Sequence, residues 1–185
     1  MTTQLTEDPF SSRPDLGPYM LLADDRLKIF AVFDDLTYDR ADADILSPAM
    51  RRHAVTKLNR FGFKQTSGTV LRHAVADICC HIPKAQVLGA SPFDIIRYAR
   101  KRRQDYYILT PTQAACQLID NYDFENALKK IVELVQQQPI NLYRLSDYME
   151  SKQHHQDFRP ALAQIKSAQH SAVTSEPLRR RRALG

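Results

Sequence analysis

The chain lacks tryptophan, has five glycines in 185 residues, and has three cysteines. The glycines are scattered. No GxxxxGK[ST], GxGxxG or GxSxG pattern occurs, so neither a glycine-rich phosphate cradle nor a nucleophile elbow is expected. A catalytic site assembled from residues distant in sequence stays open. Cys79 and Cys80 are adjacent and Cys116 stands alone. That odd set argues against a disulfide framework and for small buried side chains in a reducing, cytoplasmic setting. Apolar runs such as Ile29 to Phe33 fall far short of the roughly 18 to 20 residues that cross a bilayer. The start, MTTQLTEDPFSSRPDLGP, is polar and acidic, unlike a secretory leader. His73, Cys79, Cys80 and His81 lie close together, as do His154 and His155, without CxxC or HExxH spacing. No metal or cofactor is therefore expected. Asp24, Asp25, Asp34, Asp35, Asp39, Asp42 and Asp44 lack the alternation of a calcium loop and read as a solvated acidic face.

What is present is a hydrophobic fraction of 43%, enough for a core, and an uneven distribution of charge. Residues 1–45 hold 10 acidic and 4 basic side chains, residues 46–105 hold 3 and 12, and residues 106–185 hold 8 and 10. The acidic front and the basic middle can attract each other within the fold. Alternatively, the basic segment serves an anionic partner.

Prolines at 9, 14 and 18 mark residues 1–18 as an extended arm. Tyr19 to Ala23 and Leu27 to Phe33 fit two strands joined at Asp24-Asp25, and a helix from Asp25 to Leu36 fits equally well. Ser47-Pro48, Ser91-Pro92 and Thr110-Pro111 share one form. A hydroxyl at the N-cap accepts a first-turn amide, and proline at the next position has no amide to lose. They predict helices over Pro48 to Phe61, Pro92 to Arg103 and Pro111 to Tyr122. Val70, Leu71, Ala74, Val75 and Ile78 have helical spacing, so Thr69 to Cys80 is read as a helix between Gly62 and Pro83. Further helices are expected over Phe124 to Gln138, Asn141 to Ser151 and Phe158 to Ala168. Ser171 to Gly185, with Arg179 to Arg182, reads as a basic tail.

Three constellations bear on function. RYARKRRQDYY, Arg97 to Tyr107, sets Arg97, Arg100, Lys101, Arg102 and Arg103 beside Tyr98, Tyr106 and Tyr107. Guanidinium groups bind phosphates with forked hydrogen bonds, and tyrosine rings stack unpaired bases. The alternative is a solvated helix end with core tyrosines. The order helix, glycine turn, helix over Pro48 to Cys80 is similar to the helix-turn-helix of bacterial DNA-binding proteins. That resemblance would place Thr66, Ser67, Thr69 and Arg72 toward bases, and Arg51, Arg52, Lys57, Arg60 and Lys64 toward phosphates. The alternative is an ordinary αα-hairpin with a basic exterior. Pro111 to Asn141 looks like one tetratricopeptide unit, through Ala115, Phe124, Ala127, Ile131, Leu134 and Pro139; that family binds proteins. Its alternative is a helical hairpin serving one core.

These readings predict a mainly α fold of about six or seven helices, with a short N-terminal β-hairpin admitted. The expected divisions are 1–18 (arm), 19–170 (one helical domain) and 171–185 (basic tail). The expected core is Leu58, Phe61, Leu71, Val75, Ile78, Ile95, Ile96, Leu118, Ile119, Leu128, Ile131, Leu134, Val135, Leu142, Leu145, Leu162 and Ile165. The expected function is non-enzymatic nucleic-acid binding, as in a regulator. Its binding residues would be Arg51, Arg52, Lys57, Arg60, Lys64, Arg72, Arg97, Tyr98, Arg100, Lys101, Arg103 and Tyr106. The rival is a protein-interaction adaptor built on the helix pair at 111–141, and the third class is an enzyme with a concealed site.

Overall fold

Ile29-Phe30-Ala31-Val32 and Tyr106-Tyr107-Ile108-Leu109 are short, continuously apolar runs, the pattern of strands covered on both faces. In the computed structural model, which describes residues 7–17, 19–33, 46–82, 104–150 and 155–175, both are strands with every residue buried. They belong to a six-stranded sheet: β1 (Met20–Asp24), β2 (Ile29–Val32), β3 (Phe63–Ser67), β4 (Val70–His73), β5 (Ile78–His81) and β6 (Tyr106–Leu109). The spatial order is β1-β2-β6-β5-β4-β3. β6 runs parallel to both neighbours, whereas β1–β2, β3–β4 and β4–β5 are antiparallel. The helices among the described residues are α1 (Pro48–Arg60), α2 (Pro111–Asn121), α3 (Phe124–Gln137), α4 (Leu142–Glu150) and α5 (His155–Ser175).

The architecture is therefore α/β, with about 52% helix and 20% strand among the described residues, and not mainly α. The correction centres on Thr69 to Cys80, which forms β4, a turn and β5 instead of a helix. Leu71 and His73 on one strand and Ile78 and Cys80 on the next share one face at a two-residue period, with Val70 on the other face, so the helical spacing of the apolar residues is coincidental. Leu71 and Cys80 pair across the ladder and are fully buried, while Arg72 points outward. Asp77, at φ +50°, turns the chain between the two strands. Val75 lies on that turn, 75% exposed, and not in the core. One helix followed by three strands also replaces the proposed helix-turn-helix.

The chain divides into two compact units. The first holds the sheet and α1, whose Met50, Ala54 and Leu58 recur every four residues and are buried. The second holds α2 to α5, in which α3 packs against α2 and α5, and α4 packs against α2 and α5. The hydroxyl–proline signals succeed where the chain is described. Ser47 Oγ accepts from Met50 N at 3.2 Å. Thr110 and Gln113 cap each other reciprocally, at 3.2 and 3.0 Å. Asp123 accepts from Asn126 N at 3.1 Å to start α3. Asn141 Oδ1 accepts from Tyr143 N and Arg144 N, both at 3.1 Å, to start α4. Of the expected core, Leu58, Leu71, Ile78, Leu118, Ile119, Ile131, Leu134, Val135, Leu145 and Ile165 are buried. Phe61, Leu128, Leu142 and Leu162 are half-buried. Ser91-Pro92, the helix Pro92 to Arg103, Ile95, Ile96 and Arg179 to Arg182 lie outside the described residues.

Candidate nucleic-acid interface

Helix α1 offers three stripes. Met50, Ala54 and Leu58 face the core. Arg52, Thr56 and Arg60 are exposed. Between them run His53, Lys57 and the C-cap residue Phe61, all half-buried. Lys57 and Arg60 occupy the last turn, where cations oppose the helix's negative pole. Arg51 is half-buried, and burial lowers its pKa from the ordinary arginine value. His53 is also lowered, first by burial and then by the charge of Lys57.

Gly62, at φ +86°, turns the chain from α1 into β3, the outermost strand of the sheet on that side. Phe63 is buried, and Lys64, Gln65, Thr66 and Ser67 are exposed. Lys64 stands opposite Arg72 on β4, and Arg72 stands opposite Cys79 on β5. Alternation along the strands puts this row on the face away from Phe63 and Leu71. The structure thus groups Arg51, Arg52, Lys57 and Arg60 on the helix, and Lys64 and Arg72 on the far face of the sheet. The Phe61-Gly62 turn joins the two groups along the sheet's rim. Arg72 is paired with Asp77, whose hydrogen bond and charge raise the arginine's pKa. Among the described residues, Arg52, Lys57, Arg60 and Lys64 have no carboxylate in ion-pair contact.

Tyr106 points inward and is 1% exposed, so its ring presents no face to a base. It stacks on Phe30, with centroids 5.0 Å apart. Its hydroxyl donates to the Asp8 carboxylate at 2.7 Å, and burial, then Asp8, drive its pKa far upward. Arg97, Tyr98, Arg100, Lys101 and Arg103 lie outside the described residues.

Two groupings escaped the sequence reading. In the first, Asp8 binds Lys28 and Tyr106, while the Phe10 ring inserts among Phe30, Phe61, Phe63 and Tyr106 at centroid distances of 4.8 to 5.4 Å. Burial works against the Asp8 charge, but bonds from Lys28, the Phe10 amide and Tyr106 outweigh it and hold this carboxyl below the ordinary range. The sequence signals were Phe10, the one aromatic residue of the arm, and Leu16, which is also buried. In the second, His81 Nε2 lies 3.0 Å from Asp105 Oδ2 and its ring stacks on Tyr107 at 5.2 Å. Asp105 Oδ1 accepts from the Cys79 amide at 3.3 Å. Nothing in sequence linked His81 to Asp105, because the parallel β5–β6 pairing joins them across 24 residues. Cys80 faces the core, where burial pushes its thiol well above the ordinary value. Among the described residues, no group of three or more potential ligands could hold a metal ion.

In the helical unit, Phe124, Leu128 and Val132 line an open groove of about 410 Å³ beside Gln164 of α5. Glu125, Lys129, Glu133 and Gln136 border it. No described helix is long and apolar enough to cross a membrane. Compared with protein-family models, curated proteins and solved structures, the chain matches none.

Proposed function

We propose that the protein binds nucleic acid along the rim formed by α1 and the edge strand β3, acting as a non-enzymatic regulator. One observation carries this reading. Residues 46–82 contain six lysines and arginines against a single acidic residue, Asp77, which Arg72 already engages. Among the described residues, Arg52, Lys57, Arg60 and Lys64 have no such partner; Arg52, Arg60 and Lys64 are exposed to an outside anion, and Lys57 is half-buried beside them. Phosphate groups at regular spacing are an anion array suited to four cations spread over a helix and a strand. Gln65, Thr66 and Ser67, exposed along β3, add neutral donors for sugar or phosphate oxygens. Three free cysteines fit a reducing, cytoplasmic setting.

The test is a fluorescence-anisotropy titration with duplex DNA, single-stranded DNA and RNA at several salt concentrations. Log affinity should fall linearly with log salt. Changing Arg52, Arg60 and Lys64 to glutamine should weaken binding to every sequence and flatten that slope by about 0.7 to 0.9 per residue. A protein that binds none of the three at low salt refutes the reading. The α3 groove favours a second reading, an adaptor that takes an apolar helix. In that case Leu128→Asp would abolish partner binding and leave nucleic-acid affinity unchanged.

A further inference from the structure

The segment before β1 has a residue-by-residue fit to α1. Tyr19 packs edge-on against His53, with centroids 5.6 Å apart. A Cβ added at Gly17 would come within 2.8 Å of Lys57 Nζ. Phe10 packs against Phe61 at 5.2 Å. His53, Lys57 and Phe61 are spaced four residues apart, so they form one stripe of the helix. The N-terminal segment runs along that stripe in the opposite direction. Phe10 is 5% exposed and Leu16 is 2% exposed, which makes the segment a seated strap. Its outer end is fixed by the carboxylate of Asp8, held by Lys28 and Tyr106. Residues 7–17 carry Glu7, Asp8 and Asp15 against Arg13 alone, so an acidic strap lies on a basic helix.

We infer that this strap is an autoinhibitory contact that competes with nucleic acid for α1. The inference rests on the nucleic-acid reading and names how that same surface is regulated. With the strap seated, Gly17 abuts Lys57, and Glu7 and Asp15, the strap carboxylates that Lys28 does not engage, bring negative charge to the segment that covers it. Arg52 and Arg60, on the neighbouring stripe, stay exposed and give a basal affinity. Releasing the strap would free Lys57 for a phosphate and remove the competing negative charge. Asp8 and Phe10 are the two points where release can be forced. The first is a polar clasp at the strap's end. The second is an aromatic plug in a box of four rings.

The experiment compares full-length wild type with Asp8→Asn, Asp8→Lys and Phe10→Ala, using a labelled duplex and a labelled single strand. Asp8→Asn leaves the aromatic packing intact, so it reports even if Phe10→Ala compromises folding. Asp8→Lys sets a cation against Lys28 and must open the clasp. The expected result is tighter binding in the order Asp8→Lys, Asp8→Asn, wild type. Each opened variant should show a salt slope steeper by about 0.7 to 0.9, the signature of one added phosphate contact. Adding Lys57→Gln to Asp8→Lys should cancel the steepening. If wild type binds and all three variants bind with the same affinity and slope, the strap is not inhibitory, while the nucleic-acid reading survives. If neither wild type nor any variant binds at low salt, both ideas fall.

Discussion

Asp8 shows how much a single side chain can organise when its charge is compensated. It accepts bonds from Lys28, from Tyr106 and from the Phe10 amide. Together these outweigh the penalty of burial and hold its pKa below the ordinary value. The sign of the linkage follows. A carboxyl whose folded pKa lies below its unfolded one stabilises the protein above the unfolded pKa, about 3.9. That stabilisation disappears as pH falls through the lowered folded value. Asp8→Asn should therefore cost about 1 to 2 kcal/mol at pH 7 and much less near pH 2. Urea unfolding of wild type and variant at both pH values measures the difference. An equal cost at both would mean that the ionised form contributes nothing special. The residue was unreadable in sequence for a physical reason. Its partners are 20 and 98 positions away, and only the folded sheet brings them to it.

At the scale of elements, legibility tracked the range of the interactions involved. Helices begin with local chemistry, and Ser47-Pro48, Thr110-Pro111, Asp123 and Asn141 carried it within three residues of each start. Strands of four or five residues carry no such mark. Val70 to Ile78 carries helical spacing, and the sheet won because Leu71 and Cys80 are buried opposite each other across the ladder. The same contrast predicts how two caps should differ. Thr110 is fully buried and shares a reciprocal pair of bonds with Gln113, whereas Ser47 is half-exposed and caps α1 through the bond from Met50 N. Thr110→Ala should cost about 2 kcal/mol and Ser47→Ala about 1 kcal/mol or less. Water can replace a lost bond only at the second site. Chemical denaturation of the two variants checks the order, and a larger loss at Ser47 would overturn it.

Across the whole molecule, the informative quantity is where charge sits, more than its total of +5. The basic middle of the sequence was legible from composition alone. Its division between a helix flank and the far side of an edge strand was not, because that depends on the strand alternation that replaced the expected second helix. The described residues of the helical unit hold seven acidic and five basic side chains, whereas residues 46–82 hold one and six. Lys129 and Lys130 lie between Glu125 and Glu133 along α3, so a polyanion approaching them meets both signs. If binding comes from arranged cations, removing three charges should matter only along the rim where α1 turns into β3. Changing Lys129, Lys130 and Lys166 to glutamine should leave affinity and salt slope unchanged. The same number of changes at Arg52, Arg60 and Lys64 should flatten the slope by about 0.7 to 0.9 for each residue. Both triple variants lower the net charge equally, so equal losses would trace the attraction to overall charge and leave the α1–β3 rim with no special role.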